Sequence, residues 1–193
     1  MNRHSVAATT TVVCALALGT WVNSLLPNRT DTLSQPFDRH GAPGESVTIR
    51  TGTVEVTRVS AAPSVRDAAG RTATSTGLFV VATLRFTASG ESYAVRPIQV
   101  RSADGRTFGG TQPLIGTEAC GASQAGIPIT CDVAIEVDPS ALPGAQLIVH
   151  NYSSGGADDR AFLDLGIAAD QVAGWTKAST ITLQPSRHEG PGR

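Results

Sequence analysis

The sequence predicts an all-β protein, an antiparallel β-sandwich carried behind an apolar N-terminal segment. Three observations lead there. Residues 127–137 follow a period of two, with Ile127, Ile129, Cys131, Val133, Ile135 and Val137 on one face and Pro128, Thr130, Asp132, Ala134 and Glu136 on the other. Around them lie about seven short apolar runs parted by Gly, Pro and Asp, with no long amphipathic helix. The chain also opens with a long uncharged stretch. Hydrophobic residues make up 40% of the 193, but aromatic ones only 5%, so the core must rest on Val, Ile, Leu and Ala. Thr, Val, Gly and Ser abound, which is a balance that favours strands.

Arg3 and His4 precede a run from Ser5 to Leu26, through Leu16 and Trp21, that carries no charge. As a helix, at about 1.5 Å per residue, this segment would span roughly 33 Å, enough for a hydrocarbon core of about 30 Å. Trp21 would sit near one interface, and Pro27 would stop the helix. The positive charge ahead of it predicts a cytoplasmic N-terminus with everything after Pro27 outside. A signal anchor is the first reading. A cleaved signal peptide ending at Ala15-Leu16-Ala17 is the second. A lipoprotein signal on Cys14 is the third, although Val13 stands where that processing needs a small residue. Each of them exports the rest of the chain, to the cell membrane or beyond it.

Residues 27–46 are rich in Pro, Gly and polar groups and read as a linker. The sandwich is expected over 47–185, with a disordered tail at 186–193. Its first strands contain Val47 and Ile49, then Val54 and Val56 after Gly52, which marks a bulge or turn. Residues 66–77 read as a polar connection. From Leu78 one face carries Leu78, Val80, Ala82, Leu84 and Phe86, with Phe79, Val81, Thr83 and Arg85 opposite. Asp104-Gly105, between Ile98/Val100 and Phe108, is the best hairpin turn in the chain. Pro97 suggests an edge strand or a bulge there. Residues 138–145 form a turn or one helical turn, "QLIVHNY" a strand and "SSGGADDR" an exposed loop. "AFLDLGI" is a further short strand, "AADQVAGW" a brief helix and 179–185 a last strand.

Cys120 and Cys131 flank a Gly/Ala/Ser loop at the mouth of the alternating strand. In an exported protein such a pair tends to close, and a disulfide is the primary reading. Free thiols, metal binding and redox chemistry are the alternatives, but no His or Cys lies close in sequence to help hold a metal.

"GLFVVATLRFTASGES", "IQVRSADGRTF" and "GIPITCDVAIEVDPSALPGAQLIV" resemble the secreted immunoglobulin-like domains found in actinobacteria and firmicutes, the neighbourhood of the actinobacterial immunoprotective extracellular antigens. The resemblance covers about residues 47–150 and implies fold and export, with no activity to carry over. Thr87-Ala88-Ser89 stands where such domains often show an Asn. One lysine against fourteen arginines fits the codon usage of a GC-rich, actinobacterial genome. The sandwich is immunoglobulin-like in outline only, because the cysteines are close in sequence and Trp175 comes late.

The search for chemistry is short. Beyond residue 26 the chain has sixteen acidic and fourteen basic residues, with no basic stripe for nucleic acid. "GASQAG" misses the nucleophile elbow by one glycine, so Ser123 reads as a loop serine. Among four histidines only His150 falls in a strand; it reads as a rim residue before a general base or a metal ligand. Asp158, Asp159, Arg160 and Asp164 lack the spacing of a calcium loop and read as solvated. Neither a cofactor nor a metal is expected. The sequence therefore points to a non-enzymatic envelope module that contacts a protein partner through loops 112–126 and 153–160. The alternative is a small-molecule or lipid carrier with a cavity between its sheets.

Overall fold

The computed structural model describes residues 14–24, 37–109, 120–153 and 156–190, with the backbone alone for 152, 153 and 156–158. The chain divides into two units, Met1–Gln35 and Pro36–Arg193.

In the first unit residues 14–24 are helical. At about 1.5 Å per residue they extend only about 16 Å, and among the described residues no helix is long and apolar enough to cross a membrane. The expectation of a spanning helix over Ser5–Leu26 is corrected to that extent; Ser5 and Leu26 themselves lie outside the described residues. Leu16, Leu18, Trp21 and Val22 are exposed on the helix. The hydroxyls of Thr20 and Ser24 donate back to the carbonyls of Leu16 and Trp21, so these two side chains are satisfied within the helix.

The second unit is a two-sheet β-sandwich. One sheet contains β1 (Phe37–Gly41), β5 (Ile98–Arg101), β6 (Thr107–Gly109), β8 (Gln146–Ser153) and β9 (Gly156–Asp164), in the order β1-β9-β8-β5-β6. The other contains β2 (Val47–Ile49), β3 (Gly52–Arg66), β4 (Thr72–Ala88), β7 (Ile129–Val137), β10 (Ile181–Thr182) and β11 (Arg187–His188). Its order is β10-β3-β4-β7-β11, with β2 also on β3. We call them the β8 sheet and the β4 sheet. The expectation of a wholly antiparallel sandwich is corrected at two edges, where β1 joins β9 and β10 joins β3 in parallel.

The hairpin β3–β4 dominates. Its register runs from Gly52 opposite Ala88 to Arg66 opposite Thr72, with bulges at Val56/Arg58 and Ala62/Ser64. The stretch read as a polar connection is therefore largely strand; only residues 67–71 turn, closed by the Asp67 amide on the Arg71 carbonyl. Gly52 must be glycine, because a Cβ there would lie 2.2 Å from the Thr87 carbonyl oxygen. Asp104-Gly105 turns β5 into β6 as expected, with Gly105 at φ 89°. Pro97 sits immediately before β5, an interior strand, so it removes no ladder donor; instead its carbonyl accepts the His150 amide.

β4 is buried on both faces. Leu78, Val80, Ala82, Leu84 and Phe86 enter the main core against Val100, Leu147 and Leu163 of the β8 sheet. Phe79 and Val81, on the opposite face, form a second cluster with Val65, Ala134 and Leu183. The C-terminal segment supplies the cover. It begins as β10 on β3 and crosses the outer face, where the Leu183 amide donates to the Arg66 carbonyl and the Gln184 amide to Asp132. It ends as β11 on β7. Glu189 fastens it by accepting from Arg85 at 2.9 Å and from the Thr130 hydroxyl. Asp132 is buried beneath it, accepting from Thr83 at 2.6 Å with Arg58 nearby. The residues read as a tail thus carry β11, and those read as a linker carry β1. Both are edge strands whose pairing partners lie far away in sequence.

Cys120 and Cys131 form a disulfide. Cys131 pairs with Leu84 across the ladder and shares the core face, so the bridge pins the loop from 120 to the central sheet. Closing about a dozen residues is worth about 2.8 kcal/mol in the chain-entropy description. The double substitution C120A/C131A is expected to lower urea-unfolding stability by about 2–3 kcal/mol, read as a drop in midpoint at unchanged slope.

Candidate functional site

The two outer faces of the sandwich differ. On the β4 sheet the outward Phe79, Val81, Asp132 and Ala134 lie under the C-terminal segment. On the β8 sheet the outward row is formed by long polar and cationic side chains grouped around one aromatic ring. β9 alternates Ala161 and Leu163 inward, so Phe162 and Arg160 point outward. Parallel pairing with β1 sets His40 against Phe162 and Asp38 against Arg160.

Phe162 is only 1% exposed. The His40 ring stacks on it at 5.1 Å between centroids, and the guanidinium carbons of Arg160 and Arg101 lie 5.0 and 5.9 Å from its centre. Arg160 also grips Asp38 through two nitrogens, a fork-to-carboxylate contact that fixes the guanidinium plane. The hydrogen bond from Arg160 holds the Asp38 carboxyl below its ordinary range, with further help from the charges of Arg160, His40 and Arg101. The Arg101 guanidinium is thus held over an aromatic face beside Asp38, and it is exposed.

His150 stands opposite Arg160 in the ladder, with its Nε2 3.0 Å from the Gln99 side-chain oxygen. Half-burial lowers its proton affinity first, the Arg160 charge adds to that, and Asp38 opposes it.

At one end of the sandwich the β2–β3 turn meets β8 and β9. Asp159 accepts from the Arg50 amide at 2.8 Å and from the Asn151 side-chain amide at 2.9 Å. The sequence reading of Asp159 as a solvated loop residue is corrected, because it is buried within β9. Asp164 accepts the Gly166 amide and is an ordinary turn former. Ser123 is buried, its oxygen accepting the Ala88 amide and donating to the Ile127 carbonyl. That ties the cysteine-flanked loop to the end of β4, so Ser123 is structural.

At the opposite end of β4 lies a shallow open groove of about 340 Å³, lined by Thr76, Gly77, Glu136, Val137, Asp138 and Pro139. Of its two acidic residues, the exposed Glu136 is engaged by the Ser75 hydroxyl and Asp138 accepts from Ser140 and Arg106. Among the described residues no group of three or more His, Cys, Asp or Glu is placed to hold a metal. Of the expected contact loops, residues 112–119, 154 and 155 lie outside the described residues.

Sequence reasoning singled out His150 but missed Asp38, Arg101 and Phe162 as one constellation with His40 and Arg160. The five come from three strands, β1, β5 and β9, and only the register unites them. The usable signal was "FDRHG", a short polar strand with an aromatic start.

No family model and no curated protein matches the chain. One solved structure, an uncharacterized β-sandwich protein from Clostridium difficile 630, aligns over 72% of this chain and 99% of its own at 8% identity, with a TM-score of 0.43.

The His150 arrangement generates a pH effect with a definite sign. Its folded-state affinity for a proton lies below the ordinary value near 6.5. Unfolded chains therefore take up more protons as pH falls through 6.5, and stability declines towards acid. His150→Gln is expected to make this decline shallower between pH 7 and 5, measured as urea midpoints at half-unit steps.

Proposed function

We propose that the protein is an exported, non-enzymatic binding module of the cell envelope, whose β8-sheet face contacts an acidic surface on a protein partner. One observation carries the reading: the Arg101 guanidinium, exposed and held over buried Phe162 beside the Arg160–Asp38 pair. A guanidinium already held in place loses less side-chain entropy on binding, and its donor fork matches a carboxylate. Arginine on an aromatic base is also the composition that dominates interface energetics.

Export is supported by the apolar leader and by the Cys120–Cys131 bridge, since disulfides persist mainly in oxidising compartments. The exposed Leu16, Leu18, Trp21 and Val22 favour attachment of the leader to a membrane. We assign the sandwich to the immunoglobulin-like group by its long alternating strand, Asp-Gly hairpin and Pro-containing turn. The carrier reading gains nothing comparable, because Leu84 and Phe86 of the β4 sheet lie in one buried cluster with Val100, Leu147 and Leu163 of the β8 sheet.

Crosslinking in intact cells followed by mass spectrometry tests the proposal. A reproducible envelope partner is expected for the native chain, with at least a tenfold loss of crosslinked product for Arg101→Glu and none for Arg66→Glu, an exposed position on the other sheet. Equal crosslinking by both variants, or no partner at all, would exclude this face. A reporter enzyme fused after Gly192 should be active only outside the cytoplasm.

A further inference from the structure

A different group of atoms, at the end where the β2–β3 turn meets β8 and β9, carries a separate reading. Asp159 is 7% exposed, and both hydrogen bonds it accepts come from neutral donors, the Arg50 backbone amide and the Asn151 side-chain amide. A carboxylate oxygen can only accept, so Asn151 must present its Nδ2 to Asp159. That choice fixes where its Oδ1 lies, on the same planar amide and a little over 2 Å from Nδ2 by covalent geometry, about. Asn151 is 1% exposed, and its Oδ1 has no hydrogen-bond partner. The hydroxyl oxygen of Thr51 is likewise buried and unpartnered. Thr51 follows Arg50, whose amide fastens the turn to Asp159.

This end is therefore rich in buried oxygen and carries one buried negative charge. A buried carboxylate is costly unless a cation or several donors compensate it, and an unpartnered buried acceptor adds to the cost. The register shift between His150 and Tyr152 takes Asn151 out of the regular ladder, which is how strands re-aim a side chain at a site.

We propose that Asp159, Asn151 Oδ1 and Thr51 Oγ1 bind a hard divalent cation, calcium by chemistry. The donors are all oxygen, which disfavours zinc and copper. One carboxylate with neutral amide and hydroxyl oxygens suits calcium better than magnesium, which demands a strict octahedron and gives up its waters reluctantly. So few protein ligands, completed by water, place the affinity near the 10⁻⁴–10⁻³ M range of about extracellular calcium modules. The cation would neutralise Asp159 and tie the β2–β3 turn to β8 and β9.

The test uses the full chain, freed of metal with EDTA and dialysed against calcium chloride up to about 10 mM, which exceeds that range. Metal content is read by atomic emission and stability by thermal unfolding. One equivalent of calcium is expected, with a rise in Tm on the order of 5–10 °C at a hundredfold excess over Kd. Asp159→Asn and the near-isosteric Thr51→Val should each lose most of both effects, and Asp170→Asn, at an exposed carboxylate elsewhere, should keep them. Thr51→Val keeps the test decisive where Asp159→Asn fails to fold. No uptake with an unchanged Tm would mean that water alone serves these oxygens, and uptake equally reduced by Asp170→Asn would mean diffuse surface binding. Either result overturns the proposal, and neither bears on the Arg101 face.

Discussion

The whole domain depends on β4 being apolar on both faces. A strand in an ordinary sandwich can leave one side to water, and alternation then suffices. Here Leu78, Val80, Leu84 and Phe86 need one cover while Phe79 and Val81 need another. The β8 sheet provides the first. The chain's own C-terminal segment provides the second, with Leu183 as the apolar contact and Gln184 and Glu189 as polar fasteners. Burying a carboxylate at Asp132 within that layer is tolerable because Thr83 and the Gln184 amide hydrogen-bond to it and Arg58 lies 3.8 Å away.

What could be read from the sequence followed from locality. Strand 129–137 and the Asp104-Gly105 hairpin declare themselves within a dozen residues, because period-two burial and turn chemistry are local properties. The Cys120–Cys131 bridge was legible for the same reason. β1 was not: four of its five residues are exposed, and it pairs from Phe37 opposite Asp159. No periodicity reveals such a partner. β11 is two exposed residues held by β7. The unbroken run Leu78-Phe79-Val80-Val81 did contain a hint, since continuous rather than alternating hydrophobicity marks burial on both sides.

The candidate site obeys the same division. His150 stood out as a strand histidine, yet its environment is set by Arg160 and Asp38 from two other strands. Phe162 looked like a core residue by composition, and it is buried; what buries it includes the cationic groups of the outer face rather than the opposite sheet. Asp159 looked like part of a polar loop because Gly-Gly and Asp-Asp precede Arg160. The ladder instead carries β9 back to Gly156 and draws the carboxylate inside.

The C-terminal cover also bears on the order in which the domain can assemble. Its contacts join residues 181–189 to β3, β4 and β7, so nothing holds it until those strands have found each other. For a chain threaded outward N-terminus first, Phe79, Val81 and Ala134 would face solvent as a bare greasy surface until residues 181–189 emerged. Late-forming, non-local closure of this kind prolongs the interval in which a nascent chain can stick to its neighbours. Residues 181–189 thus act as a built-in shield whose arrival ends that vulnerable interval.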